Sequence, residues 1–192
     1  MSVRVEPADW ESLKVPWGVL YRGARPVAGP FVTPEFLSAW WDVFGEGREL
    51  DLSAVRRNGS LIGVLPLQRH EGVVKLLGDF EICDYMDVLA VRGHEEAVVE
   101  ALLDRLDTLA SPTVDLRGLA EGSSTLALLP DRAEQRGWTV DRQEEAVCPV
   151  VPIPGNWESY VTGLRRKYRH EVRRKLRNLR SGKAVVDIEV VS

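Results

Sequence analysis

Apolar residues recur along this chain at two spacings, and the alternation between them predicts its elements. In FLSAWWDVF, residues 36–44, Phe36, Leu37, Trp40, Trp41 and Phe44 fall on one face of a helix. Thr33, Pro34 and Glu35 precede them in the order of a helix start. The hydroxyl caps free N–H groups, the proline has no N–H to satisfy, and the carboxylate suits the positive helix end. LDLSAVRR and SLIGVLPLQR then flank Asn58-Gly59, the pair that most readily takes the positive φ of a tight hairpin. VVKLL after Glu71-Gly72 predicts a third strand, and YMDVLAV a fourth. Residues 94–110 align Ala97, Val98, Ala101, Leu102, Leu106 and Leu109 on one helical face. TVDLRGL reads as a buried strand, and Ser123 or Ser124 as the cap of a helix ending near Arg136. WTVDR and AVCPVVPI read as two closing strands, and Pro16 punctuates a first helical stretch. The order is helix, helix, hairpin, strand, strand, helix, strand, helix, strands. It predicts an α/β fold: a mixed, mainly antiparallel sheet with flanking helices and one crossover helix.

The last forty residues differ in kind. Pro152, Pro154 and Gly155 form a stiff break, and Asn156 is placed to cap a helix. That helix carries an apolar stripe of Trp157, Tyr160, Val161, Leu164, Tyr168, Val172, Leu176 and Leu179. Arg166, Arg169, Arg173, Arg177 and Arg180 step along another face; Gly163 is a candidate early break and Gly182 a candidate C-terminal cap. AVVDIEVV follows as a strand-like run whose unpaired edge predicts dimerisation.

Charge sharpens this division. The 192 residues carry a net charge of −4, but residues 1–164 stand at −11 and residues 165–183 at +9. A basic block beside an acidic body implies an anionic partner or a strong internal contact. With 44% apolar and 28% charged residues, the chain is neither a disordered tail nor a fibre. No run reaches the roughly 18 apolar residues of a membrane span. The acidic opening MSVRVEPADWESL has no signal-peptide core, and two cysteines, Cys83 and Cys148, make no disulfide framework. These features predict a cytoplasmic protein.

Candidate chemistry is sparse. His70, His94 and His170 lie far apart and neither cysteine has metal-ligand spacing, so no metal site is expected. Gly122-Ser123-Ser124 is not a nucleophile elbow. Asp79, Glu81, Asp84 and Asp87 cluster around Tyr85. Carboxylates so grouped hold amines or do acid–base work when burial separates their pKa values; otherwise they are a solvated loop. A strand beginning at Tyr85 places Tyr85 and Asp87 on one face. The arginine helix admits three roles: a structural element docked by its stripe; a binder of anionic ligands such as phosphates or RNA through Arg166, Arg169, Arg173 and Arg177; or an element lying on an anionic membrane. Nucleic acid is disfavoured, because the aromatics belong to the apolar stripe.

Three stretches in order carry a family resemblance: PFVTPEFLSAWWDVFG (30–45), VRRNGSLIGVLPLQR (55–69) and WESYVTGLRRKYRHEVRRKLRNL (157–179). The chain resembles the GNAT-related acyltransferases of the CelD-like, cellulose-biosynthesis type, relatives of the FemABX transferases. The resemblance implies a GNAT-like first lobe over residues 1–152 and the opening of a second over 153–192. It implies an acyl-CoA donor such as acetyl-CoA and a small-molecule or glycan acceptor. It implies, too, a second copy or partner chain to complete the second lobe. Asp84, Tyr85 and Asp87 are then the candidate acceptor-binding residues. A GNAT lobe cradles the donor pyrophosphate on a glycine-rich turn at a helix N-terminus. The equivalent segment here, Arg92-Gly93-His94-Glu95-Glu96, has one glycine and two carboxylates that repel a phosphate. The first lobe is therefore expected to hold no donor, and the chain to be inactive alone.

Overall fold

The computed structural model describes residues 2–109, 113–149, 151–153 and 155–181. The chain divides into two compact units, Met1–Glu145 and Ala146–Ser192.

The first unit is a mixed α/β layer structure. Its elements are β1 (Val3–Pro7), α1 (Trp10–Ala24), a 3-10 turn (Gly29–Val32), α2 (Pro34–Phe44), β2 (Glu49–Arg57), β3 (Ser60–His70), β4 (Val73–Leu76), β5 (Leu89–Ala90), α3 (Glu95–Leu109), β6 (Thr113–Asp115) and α4 (Ser124–Gln135). The sheet order is β1-β2-β3-β4-β6, with β5 also on β3. All pairs are antiparallel except β4 with β6. The mixed, mainly antiparallel sheet read from the sequence is therefore present.

Local chemistry accounts for the elements. Thr33 caps α2, its hydroxyl accepting from Phe36 N at 3.2 Å, and Pro34 opens the helix. Asn58 and Gly59 take φ of 50° and 83°, as the hairpin requires. Asp9 caps α1 by accepting from Ser12 N at 2.8 Å. Pro16 does not end α1, which continues to Ala24. The stripe Leu13, Trp17 and Leu20, buried on both sides of the proline, outweighs one missing hydrogen bond.

Two cores cover the sheet. Leu52, Ala54 and Val64 pack with the α1 and α2 residues Leu13, Trp17, Leu37 and Trp40. Val55, Leu65 and Leu67 pack with the α3 residues Val98, Ala101, Leu102 and Leu106. Neighbouring residues enter opposite clusters because strand side chains alternate. Ile62 breaks that parity: the β2–β3 register shifts between Val55 and Arg56, and Ile62 is the extra residue of the bulge. With both faces covered, β3 reads as an apolar run. Val99 and Leu103 are buried beyond the expected α3 stripe, because α3 packs on α4 as well as on the sheet.

The sequence expectations need four corrections. β1 was not expected, although Val3 and Val5 alternate with Arg4 and Glu6 as an edge strand should. The strand expected over YMDVLAV shrinks to Leu89–Ala90, so strand alternation does not set the facing of Tyr85 and Asp87. WTVDR is not a strand: Trp138 Nε1 donates to Asp107 at 3.2 Å and Arg142 to the Leu126 carbonyl at 3.0 Å, tying the segment to helices. Among the described residues AVCPVVPI forms no strand either, and Pro149 and Pro152 supply no N–H for a ladder.

The second unit holds α5 (Trp157–Gly163) and α6 (Arg166–Arg180). Asn156 caps α5, accepting from Ser159 N at 2.8 Å. The single long helix is broken after Gly163 by extended backbone at Leu164. Gly182 and AVVDIEVV lie outside the described residues.

Candidate functional site

The site begins with a proline. β4 and β5 lie along the same side of β3, end to end, and residues 77–88 leave the sheet between them. Pro66 of β3 accepts from Leu77 N at 2.7 Å. In an antiparallel pair it should return an N–H to Leu77, and proline has none. The ladder stops there. The chain rejoins β3 at Leu89, opposite Val64. The result is an excursion with adjacent ends, the form of an Ω-loop.

Buried groups fix this loop. The Gln68 amide, almost fully buried, donates to the carbonyls of Leu76 at 2.9 Å and Gly78 at 2.8 Å, and accepts from Arg48 at 3.2 Å. Cys83 and Met86 enter the core beneath it, and Met86 N donates to the Gly118 carbonyl at 2.9 Å.

The acidic cluster is carried on this loop but does not act as one group. Asp84 is exposed. Tyr85 is half-buried against the α1–α2 core. Asp79 accepts from Glu81 N at 2.9 Å in a local turn. Asp87 is different. Its Oδ1 accepts from Val88 N at 2.8 Å and from the Thr125 hydroxyl at 2.5 Å; its Oδ2 accepts from the Ser123 hydroxyl at 2.6 Å. Burial pushes the Asp87 carboxyl above the usual range, opposed by the hydrogen bonds from Ser123, Thr125 and Val88. A carboxylate oxygen accepts two bonds, so Oδ2 has one acceptor position left.

Asp87 also lines a cavity of about 190 Å³ with Arg25, Arg92, Glu95, Ser123 and Thr125. Three helix ends converge there. Arg25 is the left-handed C-cap of α1, Glu95 opens α3, and Ser123 caps α4 by accepting from Leu126 N. Ser123 is expected from sequence only as a cap. Its bond to Asp87, and that of Thr125, have no signal at separations of 36 and 38 residues. Arg25 likewise carries no motif, and Arg92 is read from sequence only as part of the turn into α3.

The turn into α3 is built from Arg92 to Glu96. Gly93 takes φ of 82°, and His94 N donates to the Val91 carbonyl at 2.9 Å. Glu95 and Glu96 occupy the first helical turn, with Glu96 3.2 Å from Arg132. The positive end of α3 is thus already met by carboxylates. Arg25 and Arg92 stand on the same cavity wall, so the charge around this turn is mixed.

A larger groove, about 500 Å³, runs along β1 and α3. Its polar rim is spoken for: Arg105 pairs with Asp51 at 2.6 Å, and Glu100 and Asp104 pair with Arg136 at 2.6 and 2.8 Å.

The four arginines expected to bind anions all lie on α6. Arg173 pairs with Glu158 at 2.9 Å, and Arg169 donates to the Leu164 carbonyl at 3.1 Å. Arg166 and Arg177 are exposed and make no ion pair among the described residues. Among the described residues no group of three or more His, Cys, Asp or Glu side chains could hold a metal ion, and no helix is long and apolar enough to cross a membrane.

No protein-family model matches the sequence. The release factor glutamine methyltransferase of Burkholderia pseudomallei (strain K96243) is 31% identical over 107 residues, covering 55% of this chain and 35% of that protein. The chain thus spans about a third of the length of the curated relative it matches. Among solved structures it is similar to a probable acetyltransferase of the GNAT family from Chromobacterium violaceum ATCC 12472, at 17% identity and a TM-score of 0.48, over 71% of this chain and 74% of that one. A ribosomal-protein-alanine N-acetyltransferase from Brucella melitensis biovar Abortus 2308 aligns at 12% identity and a TM-score of 0.43, over 78% and 100% of the two chains. A glucosamine-6-phosphate N-acetyltransferase from Arabidopsis thaliana aligns at 14% identity and a TM-score of 0.41, over 77% and 99%. The fold class assigned above rests on the chain's own sheet topology.

Proposed function

We propose that residues 1–152 form the acceptor-holding lobe of an acyl-CoA-dependent N- or O-acyltransferase of the CelD-like type. Support comes first from the three resembling stretches, which form the 3-10 turn with α2, the β2–β3 hairpin and the α5–α6 pair. The observation that carries the reading is Asp87. It is a half-buried carboxylate on a cavity wall, held by two hydroxyls, with one acceptor position open on Oδ2. An amine or hydroxyl of a small molecule or glycan donates its hydrogen there. Asp84, exposed at the loop surface, and Tyr85, packed on the core, do not line the cavity. The donor is assigned to a partner chain or second lobe, because two carboxylates, Glu95 and Glu96, already occupy the first turn of α3.

The test is calorimetric titration of the purified chain with a panel of small amines and hydroxyl-bearing glycans. Saturable binding that Asp87→Asn weakens about ten-fold or more, the worth of one charged hydrogen bond, is expected. Equal binding by the variant contradicts the acceptor site. Robust CoA-dependent turnover by the chain alone contradicts the absence of a donor site.

A further inference from the structure

Helix α6 is an amphipathic element whose stripe is only partly covered: Val172 and Leu176 are half-buried, Tyr168 and Leu179 exposed. None of its fifteen residues is buried. At about 100° per residue, Tyr168, Val172, Leu176 and Leu179 occupy an arc of roughly 80°. Tyr168 is 58% and Leu179 51% exposed, whereas Leu37 and Trp40 on the comparable face of α2 are buried. The exposed apolar run begins earlier in the same unit, with Val147, Val151, Ile153 and Trp157 all more than half exposed.

Charge brackets the stripe. Arg169 and Arg180 border it on one side and Lys175 on the other, and eight Lys or Arg stand in the helix against one acid, Glu171. Glu171 pairs with Arg174 at 2.7 Å and Lys175 at 3.8 Å, and Glu158 takes Arg173. Arg166, Lys167, Arg177 and Arg180 have no ion pair among the described residues. Long cationic stems at the edges of an apolar stripe can bury their methylenes and keep their charges at a phosphate layer.

We propose that α6, led in by the aromatic turn of α5, binds the surface of an anionic phospholipid membrane. The stripe enters the boundary between headgroups and acyl chains while the arginines lie on lipid phosphates. The helix lies in the surface and does not cross it: fifteen residues at about 1.5 Å each reach roughly 22 Å, short of a hydrocarbon core of about 30 Å. Charge selects the anionic surface, and the uncovered stripe separates it from nucleic acid, which would engage the cations and leave Tyr168 and Leu179 in water. This inference is independent of the acyl-transfer reading.

The experiment is flotation of the full chain with vesicles of phosphatidylcholine alone and of phosphatidylcholine mixed equally with phosphatidylglycerol. Binding to the mixed vesicles only is expected. Leu179→Asn, which leaves every charge in place, should weaken it roughly ten-fold, the transfer cost of one leucine. Arg180→Gln, at the edge of the stripe, should weaken it about five-fold, the worth of one cation near an anionic surface. Both positions are exposed, and an unchanged thermal midpoint shows the body intact. No binding to mixed vesicles overturns the proposal. So does binding indifferent to Leu179→Asn, or a preference for duplex RNA in competition. A dimer in solution that Leu179→Asn dissociates, without vesicle binding, assigns the stripe to a second copy and equally overturns it.

Discussion

Helices α2 and α6 show the same apolar periodicity and have opposite fates. In α2, Leu37 and Trp40 are buried in a core shared with α1 and the sheet. In α6 no stripe residue is fully buried: Tyr168 and Leu179 are exposed, Val172 and Leu176 half-buried. Period alone therefore predicts a helix and the side that seeks cover, not whether cover exists. Composition of the opposite face separates them. The polar positions of α2 are few, with Glu35 and Asp42 among them, whereas α6 is cationic over most of its circumference. The body spends its sequence on a packed interior, and the C-terminal helix spends its own on charge.

Core truncation should break this contrast most sharply. Leu102 of α3 is fully buried, and Leu102→Ala should lower the stability of the body by about 2–5 kcal/mol, read by thermal or urea unfolding. Asp87→Ala comes next. It strands the hydroxyls of Ser123 and Thr125 and the Val88 N–H, costing about 1.5–3 kcal/mol. Gly63→Ala should cost about 1–3 kcal/mol, because a Cβ there meets Val98 Cγ2 at 2.5 Å and the Leu89 carbonyl at 2.8 Å. Leu179→Ala should change unfolding by less than about 0.5 kcal/mol, since nothing packs the side chain into a core.

Acidity gives a further handle on Asp87. Burial raises its folded-state carboxyl above the unfolded value near 4, so the folded chain binds this proton more readily. The contribution of Asp87 to stability therefore falls as pH rises from about 4 through the raised value. Asp87→Asn mimics the protonated form. The stability of the variant relative to the parent should rise across that window and level off above it; a flat or falling difference contradicts a raised carboxyl. Glu100 moves the other way: hydrogen bonding from Arg132 and then from Arg136 holds it below its usual range. Its contribution is present above about 4.3 and lost as pH falls, but it is the same in both proteins and cancels in the comparison.

The legible parts of the fold were those fixed by local chemistry. Thr33-Pro34 and Asn58-Gly59 mark a helix start and a turn by their own backbone preferences. The Ω-loop was not legible as a loop, because its cause is the missing N–H of Pro66 acting on Leu77, eleven positions later and across the ladder. YMDVLAV has the composition of a strand, but β4 already holds the β3 positions Leu67 and Gln68 that its first residues would need. The acidic cluster was visible from Asp79 to Asp87, but which carboxylate meets a cavity was not. That depends on Ser123 and Thr125 arriving from the start of α4, a tertiary pairing without sequence spacing.

The proposed function requires that the body hold an acceptor and no acyl donor. Calorimetric titration of the purified chain with acetyl-CoA, at low and at high salt, tests it most directly. No saturable heat is expected at high salt, any low-salt signal being attraction of the phosphates to the cationic α6 and screened away. Micromolar, saturable binding that persists at high salt would contradict it and would place a donor site within these residues.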